Sequence, residues 1–320
     1  MLPFHQVVRT DFEAVNARII AELHSDVALV ENIGHYLVEA GGKRLRPLLV
    51  LLTARACGYR GEDHIAMATI VEFIHTATLL HDDVVDTSEL RRGRATANAR
   101  WGNAPSVLVG DFLYSRAFQI MVALANMQVM RIMADTTNII SEGEVQQLVN
   151  AGNPEATEAT YLEVIRKKTA QLFEAAARTA AVIAGAPGNA QTQLASYGHH
   201  LGMAFQLVDD ALDYSGDATS LGKNAGDDLA EGKPTLPLIQ VLKKGTPEQA
   251  ALVRDAIENG GLDRLEPVIA AIEDCGAIEY TLDMAKGHVQ KAEACLATLP
   301  PSDEKTALAD LARFALNRSS

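Results

Sequence analysis

The sequence has few of the patterns that would assign a function at sight. It contains three cysteines, Cys57, Cys275 and Cys295, which are widely spaced and form no C-x-x-C pair. A disulfide framework or a structural zinc site is therefore not expected, and a reducing compartment is favoured. The chain also has no G-x-x-x-x-G-K-[ST] loop and no G-x-G-x-x-G loop. These two nucleotide-binding signatures are thus excluded.

Long apolar segments and an excess of basic residues are missing as well. No uninterrupted apolar stretch approaches the roughly 20 residues that a membrane-spanning helix needs. Residues 1–26 lack the basic start and apolar core of a signal peptide. The formal net charge of -13 disfavours general nucleic-acid binding. We therefore expect a cytoplasmic protein with no transmembrane segment and no nucleic-acid partner.

The composition that remains is typical of helices. Hydrophobic residues make up 48% of the chain and aromatic residues only 5%, and the abundant alanine and leucine favour helix over sheet. We find no Asn-Gly hairpin signal and no Pro/Ser-rich linker. The sequence predicts an all-α fold, a large helical bundle in a single domain over residues 1–320. The predicted helices cover approximately residues 10–23, 28–39, 46–57, 62–86, 127–149, 157–184 and 189–214, with loops at 88–103 and 215–233. Another helix starts at Ala104, and helices continue from Thr246 to the C-terminus with breaks at Gly260-Gly261 and Pro300-Pro301.

Two acidic clusters of the form D-D-x-x-D lie 127 residues apart. They consist of Asp82, Asp83 and Asp86, and of Asp209, Asp210 and Asp213. One such cluster is usually a solvated helix face, but apolar residues flank both clusters closely, and buried carboxylates need partners. The outer aspartates of each cluster are four residues apart and share a helix face. Mg²⁺ binds through a few carboxylates together with substrate phosphate oxygens, so the pattern indicates a magnesium-dependent diphosphate site.

Basic residues are concentrated in a few segments, against the acidic total. Lys43, Arg44 and Arg46 lie at a predicted helix start, where anions are favoured. Arg binds phosphate through two parallel hydrogen bonds, and Lys acts as a point charge. Any one segment alone would be read as solvated surface. Their alternation with the acidic clusters favours a diphosphate ligand that is not a nucleotide. The other basic segments are Arg91-Arg92, Arg166-Lys167-Lys168 and Lys223.

With these motifs in this order, the sequence resembles the all-trans polyprenyl diphosphate synthases. The resemblance covers roughly residues 41–237 and is strongest to the long-chain bacterial members that make the ubiquinone side chain, octaprenyl diphosphate synthases in particular. We identify no missing functional position. The matching blocks are 42–47, 75–86, 91–93, 110–111, 168–169, 205–213 and 222–235.

The resemblance implies a fold of the isoprenoid synthase type with a central cavity. It implies a prenyltransferase that condenses isopentenyl diphosphate head to tail onto an allylic diphosphate such as farnesyl diphosphate, giving octaprenyl or nonaprenyl diphosphate. About three Mg²⁺ ions would bind with the allylic diphosphate. The implied metal ligands are Asp82, Asp86 and Asp209, with Asp83, Asp210 and Asp213 in support.

Further roles follow from the same resemblance. Lys168, Thr169, Gln206 and Lys223 would carry the catalysis. Thr169 and Gln206 would line the place where the allylic cation develops. Arg91, Lys168 and Lys223 would contact the allylic diphosphate. Lys43, Arg46, His75 and Arg92 would bind isopentenyl diphosphate. Lys233 would close the site with the loop at 215–233.

Product length depends on the free volume beside the helix that precedes the first acidic cluster. By resemblance, the growing chain passes Ile74, Ala77 and Thr78, where a bulky aromatic residue ends elongation early in the family. Ala77 and Thr78 are small, which predicts an open tunnel and a long product. Phe118 and Met121 are candidates for the tunnel floor. One isoprene unit changes the binding free energy in an apolar tunnel only slightly, so the sequence allows both octaprenyl and nonaprenyl products.

Two other functions compete with this interpretation. A class I terpene cyclase of the same fold would have no use for Lys43 and Arg46. A non-catalytic subunit of a heteromeric synthase would have lost acidic or basic site residues, and this chain retains them. We further expect a homodimer, because the apolar helices over residues 104–148 exceed what one bundle needs to bury. Transient membrane contact during product release is compatible with an apolar product.

Overall fold

The computed structural model describes residues 3–39, 41–91, 93–215 and 226–317. Helices dominate these residues, as the composition predicts. A π-helical turn, Arg166–Ala170, joins α9 to α10, and the two short strands pair in antiparallel register. The elements are α1 Pro3–Val7, α2 Arg9–Glu22, α3 Ala28–Glu39, α4 Leu45–Ala56, α5 Asp63–Val85, β1 Leu90–Arg91, β2 Arg94–Ala95, α6 Ala97–Trp101, α7 Asn103–Ala123, α8 Met127–Asn150, α9 Glu158–Ile165, α10 Gln171–Ile183, α11 Gly188–Asp213, α12 Asp227–Ala230, α13 Leu236–Lys244, α14 Pro247–Asn259, α15 Leu265–Asp274, α16 Ala277–Cys295 and α17 Asp303–Leu316.

Several helices have the bounds that local sequence signals predict. α14 follows a complete capping box, in which the Thr246 hydroxyl accepts from the Gln249 amide and the Gln249 side chain accepts from the Thr246 amide. Pro247 occupies its first turn, where the missing N–H costs nothing. The helix ends before Gly260, whose φ of 77° lies in the left-handed region.

Three segments depart from the prediction. The predicted loop at 88–103 contains β1, β2 and α6, with Gly93 at φ 72° in the turn between the strands. The predicted loop at 215–233 contains the single helical turn α12. The helix predicted over residues 157–184 is divided by the π-helical turn. Two-residue strands have no alternation to detect.

The chain forms two compact units. Unit 1 comprises residues 1–135, 172–198 and 295–311. Its centre is α5, which packs against α4 and α7. Residues 48–52 of α4 have no exposed surface, and the Ser106 hydroxyl donates to the Leu80 carbonyl at 3.1 Å. The first acidic cluster therefore ends a helix that its neighbours hold firmly.

Unit 2 comprises residues 136–171, 199–294 and 312–320. One of its apolar clusters joins α9, α11 and α13 through residues that include Tyr161, Leu207, Leu212 and Leu236. A second apolar cluster joins α13, α14 and α15. The second acidic cluster lies on α11 beside the apolar cluster that joins α9, α11 and α13. The carboxylates of Asp210 and Asp213 are therefore buried.

In the described part of the chain, no helix combines the length and the apolar composition needed to cross a bilayer.

Candidate active site

The first acidic cluster lies where α5 ends. Asp82 and Asp86 are half-buried, and Asp86 closes the helix by donating its amide to the Asp82 carbonyl at 2.8 Å. Asp83 points to the protein instead: it is 3% exposed, and its Oδ1 accepts from Nε and Nη2 of Arg91 at 2.8 and 2.7 Å. The three aspartates therefore have different roles. Asp83 binds Arg91, and Asp82 and Asp86 share another helix face.

The strands β1 and β2 carry Arg91 and are fastened at both ends. The Asn98 amide donates to the carbonyls of Asp83 and Ser88, each at 3.1 Å. The Tyr36 hydroxyl donates to the Ala95 carbonyl at 2.6 Å. This ring also lies under the Arg94 guanidinium, 4.4 Å from its centroid. Arg91 is thus held in place from α3, α5 and α6. Arg92, which the sequence assigns to isopentenyl diphosphate, lies outside the described residues.

The predicted second-substrate residues form a pair in unit 1. Nη1 of Arg46 lies 3.1 Å from Nε2 of His75, and the guanidinium covers the Phe173 ring at 4.3 Å. A guanidinium has only donors, so Nε2 of His75 accepts and the imidazole proton is on Nδ1. Arg46 therefore carries the positive charge of this pair. Lys43 is exposed one turn earlier, and its carbonyl lies 3.2 Å from Nε2 of His5.

A cleft opens in unit 1 between α2, α3, α5 and the two strands. Its wall includes His75, Asp83 and Arg91 together with Arg44 and Arg94. The rest of the wall is mainly aliphatic. The structure thus brings predicted site residues of the 75–86 and 91–93 blocks to one cleft.

The second acidic cluster is more deeply buried than the first. Asp210 is 2% exposed and Asp213 is 7% exposed. The Tyr161 hydroxyl donates to Oδ2 of Asp210 at 2.5 Å, and the Gln206 amide donates to Oδ1 at 2.7 Å. Oδ2 of Asp213 accepts from the Asp228 amide at 3.2 Å. Asp209 is the half-buried member of this cluster.

Burial affects the pKa of Asp210 in this cluster. It raises the pKa of Asp210 well above the ordinary value, and the nearby Asp228 carboxylate raises that pKa further. The hydrogen bonds donated by Tyr161 and Gln206 act in the opposite direction. Burial and the Asp210 charge also raise the pKa of Tyr161. Tyr161 therefore stays a hydroxyl donor at neutral pH.

The π-helical turn presents Lys168 and Thr169. Nζ of Lys168 forms a 2.6 Å ion pair with Glu144 of α8, and the Thr169 hydroxyl donates to Oε1 of Gln206 at 2.8 Å. Gly143 allows α8 to approach closely, because a Cβ atom there would lie 2.9 Å from the Lys168 backbone nitrogen. Single π turns inside helices are frequent at functional sites.

The remaining predicted site residues stand as follows. Lys233 is half-buried, pairs with Glu231, and donates its amide to the Asp228 carbonyl at 2.8 Å. Lys223 lies outside the described residues. Ile74 and Ala77 have no exposed surface, and the Thr78 hydroxyl donates to the His75 carbonyl at 2.8 Å. Their control of product length stays a prediction.

The donor chemistry fits Mg²⁺. Hard divalent cations take carboxylate oxygens, and Mg²⁺ commonly needs only one or two of them with substrate phosphates. Across the residues that the structure describes, no three acidic, histidine or cysteine side chains converge to hold a metal ion by themselves. Asp83 and Asp210 are engaged by protein donors. Asp82, Asp86 and Asp209 are the half-buried members of the two clusters, whereas Asp83 and Asp210 are buried.

Comparison with known proteins decides the family. The family described as "Polyprenyl synthetase" matches residues 27–272 of this chain. The chain belongs to the polyprenyl synthetase family. An octaprenyl diphosphate synthase of Escherichia coli is 51% identical over 98% of both chains. An all-trans-nonaprenyl-diphosphate synthase of Rhodobacter capsulatus, described as specific for geranyl diphosphate, is 48% identical over 97% of this chain and 96% of the relative.

Solved structures agree with this assignment to the polyprenyl synthetases. A polyprenyl synthase of Caulobacter crescentus, in complex with calcium and isoprenyl diphosphate, superposes with a TM-score of 0.96 at 44% identity and covers 99% of this chain and 97% of its own. The predicted family, the all-α isoprenoid synthase fold and the prenyltransferase class are confirmed.

Sequence reasoning missed four residues that hold this site together. Tyr161, Glu144 and Asp228 fix Asp210, Lys168 and Asp213 from positions 15 to 49 residues away, and no spacing rule connects them. Gly143 could have been identified from the sequence, because a glycine inside a long helix lowers helix stability by roughly 1 kcal/mol and usually has a packing reason.

Proposed function

We propose that this polyprenyl synthetase is a long-chain all-trans polyprenyl diphosphate synthase that makes octaprenyl or nonaprenyl diphosphate. It would add isopentenyl diphosphate units to an allylic primer such as farnesyl diphosphate and supply the side chain of ubiquinone. One observation carries the proposal. Both acidic clusters and their basic partners occur in a chain that is half identical, along almost its whole length, to an octaprenyl diphosphate synthase.

The two acidic clusters would bind the allylic diphosphate together. Asp82, Asp86 and Asp209 would hold Mg²⁺, about three ions in all, on the substrate. When bound, Mg²⁺ supplies Lewis-acid stabilisation of the charge on the departing diphosphate. Asp83, Asp210 and Asp213 would support the site. The contacts of Asp83 with Arg91 and of Asp210 with Gln206 suit such a role.

Basic side chains would bind the two diphosphates. Arg91, Lys168 and Lys223 would stabilise the leaving group, and Lys43, Arg46, His75 and Arg92 would bind isopentenyl diphosphate. Arg46 and His75 are already in contact, which limits the reorganisation needed on binding. Lys233 would help close the site.

Carbon–carbon bond formation needs a stabilised cation in a dry site. The oxygens of Thr169 and Gln206 would face the allylic carbon and stabilise its positive charge without reorganisation. The double bond of isopentenyl diphosphate attacks this carbon and leaves a new cation on the isopentenyl unit. The released diphosphate takes a proton from the carbon beside this cation, which restores a double bond. Thr169 is buried and Gln206 is half-buried, which suits the exclusion of water.

Exposed aliphatic residues support a homodimer. Leu108 and Val122 of α7 and Met127 of α8 are 65%, 67% and 75% exposed. Contiguous exposed apolar side chains are typical of association surfaces. We propose that two copies pair in solution through this face, and sedimentation at micromolar concentration would test it. The cytoplasm is the proposed location.

The product assay tests the function directly. Purified chain is incubated with isopentenyl and farnesyl diphosphates, with Mg²⁺ or with chelator, and the products are chromatographed against length standards. Linear long-chain products that require Mg²⁺ are expected. A cyclised hydrocarbon from farnesyl diphosphate alone would indicate a terpene cyclase instead. Activity that appears only after a second subunit is added would indicate a non-catalytic partner.

A further inference from the structure

A continuous hydrogen-bond chain runs from Tyr161 to Thr169 through unit 2. Tyr161 donates to Asp210 at 2.5 Å, Gln206 donates to Asp210 at 2.7 Å, and Thr169 donates to Gln206 at 2.8 Å. Tyr161 has 6% of its surface exposed, Asp210 has 2%, and Thr169 has 8%. Water therefore has little access to Tyr161, Asp210 and Thr169, and Gln206 is half-buried.

The hydrogen bonds that link Tyr161 to Thr169 have a fixed direction. A carboxylate oxygen accepts and an amide nitrogen donates, so the NH₂ group of Gln206 must face Asp210. Its carbonyl oxygen consequently faces Thr169. A threonine hydroxyl has a single hydrogen and two lone pairs, and the hydrogen is used on Gln206. Thr169 is left with lone pairs for a group other than Gln206.

The direction matters for a cation. A hydroxyl that presents lone pairs stabilises a neighbouring positive charge, whereas one that presents its hydrogen repels it. If Gln206 rotated by half a turn about its last bond, its NH₂ group would meet Thr169, which would then have to accept. The Thr169 hydrogen would be released toward the reacting carbon. Asp210 prevents this rotation only while its carboxylate keeps its own orientation.

We propose that Tyr161 is a positioning residue that fixes the Asp210 carboxylate and thereby turns the lone pairs of Thr169 toward the allylic cation. The inference rests on the proposed function, in which Thr169 and Gln206 stabilise this cation. Tyr161 acts through Asp210 and Gln206 and need not touch the substrate. It should therefore affect the rate of the chemical step more than substrate binding.

Tyr161→Phe removes one oxygen and keeps the ring. We expect kcat to fall at least about tenfold, since loss of one preorganised electrostatic group costs 10²–10³ when direct contact is lost, with KM for both diphosphates nearly unchanged. The matched control is Tyr197→Phe in unit 1. Tyr197 is also fully buried and donates one 2.7 Å bond, to the Leu308 carbonyl, and its variant should retain kcat.

A double-mutant cycle separates positioning from a general structural effect. Thr169→Val removes the hydroxyl at nearly constant volume, so Tyr161→Phe should cost less than about twofold in that background. Losses that multiply, or a Tyr161→Phe variant that raises KM and keeps kcat, would overturn the role of Tyr161. Melting temperatures of all variants show whether each is folded.

Asp210→Asn provides a second route if Tyr161→Phe folds poorly. Tyr161 can still donate to the amide oxygen that this substitution introduces. The NH₂ group of the asparagine must then face Gln206, which reverses the direction of the hydrogen bonds from there to Thr169. A loss of kcat that excess Mg²⁺ does not restore supports the inference, and full recovery with Mg²⁺ overturns it. Wild-type elongation is measured first. If the wild type makes no polyprenyl product, the proposed function fails and the role of Tyr161 with it.

Discussion

Substituting Gly143 by alanine is expected to push apart two helical segments that now touch. The added Cβ would lie 2.7 Å from Cβ of Lys167, and 2.9 Å from the backbone nitrogen of Lys168. Carbon atoms normally stay about 3.5 Å or more apart, so the segments must separate by about 0.8 Å. The obstructing atoms belong to the backbone and to a Cβ, which cannot rotate away. The π-helical turn with Lys168 and Thr169 has to move.

Gly287 in α16 provides a matched control. A Cβ at this position meets nothing within 4 Å, so Gly287→Ala shows the gain in helix propensity alone, roughly 0.5–1 kcal/mol. Gly143→Ala receives a similar gain and also the cost of overpacking, about 1–3 kcal/mol. The difference between the two variants in urea-induced unfolding therefore isolates the packing cost.

Activity should follow the displacement. An error of about 1 Å in the position of catalytic groups can cost as much as 10²-fold in rate. We expect Gly143→Ala to lower kcat/KM for the allylic diphosphate at least about tenfold, and Gly287→Ala to leave it unchanged. Equal stability of the two variants, together with wild-type turnover by Gly143→Ala, would refute the close approach of α8 to Lys168.

Three more outcomes are expected. Asp82→Ala should lower kcat at least about a hundredfold at an unchanged melting temperature, since the side chain is a half-buried metal ligand by our proposal; steady-state kinetics that stay normal would contradict it. Ala77→Phe should shorten the product and lower the free energy of unfolding by about 1–3 kcal/mol, because Ala77 has no exposed surface. Products of wild-type length in chromatography would show that Ala77 does not line the tunnel. Burial and neighbouring charged groups lower the pKa of His200 and His288 from 6.5 to about 4, so the unfolded chain binds more protons between these values and the free energy of unfolding falls as pH falls through that window. His288→Gln should flatten this pH dependence in urea melts, and an unchanged slope would remove these histidines as its source.

Sequence patterns predicted most of the helical framework. The bounds of α3 agree with the prediction, and those of α5 differ by one residue at each end. Both helices have long stretches of period 3.6, and the capping box at Thr246 uses only neighbouring residues. Such signals are local, so they can be read without knowledge of the tertiary contacts.

The elements that were missed lack such local signals. Each strand of the β1–β2 pair has two residues, and tertiary bonds from Tyr36 and Asn98 hold the segment. The π-helical turn changes the hydrogen-bond register without a change in composition. Its place depends on the close contact with Gly143 of α8, which a single-sequence pattern does not contain.

For the candidate site too, local spacing can be read from the sequence and tertiary partners cannot. Spacing predicts Asp82 and Asp86 on one helix face, and the resemblance assigns Arg46 and His75 to the same substrate. The structure brings Arg46 and His75 into contact. Spacing does not distinguish the three aspartates of a cluster by their partners. That distinction depends on Arg91 for one cluster and on residues of α9 and α11 for the other.

The engagement of Asp83 by Arg91 limits what an alanine scan of the acidic motif can prove. Truncating Asp83 would release the guanidinium, so a dead variant would report a misplaced arginine as readily as a lost metal ion. Asp210 poses the same difficulty through Gln206. Only a titration of activity against magnesium, run separately for each of the six positions, would tell the carboxylates that coordinate from those that align their neighbours.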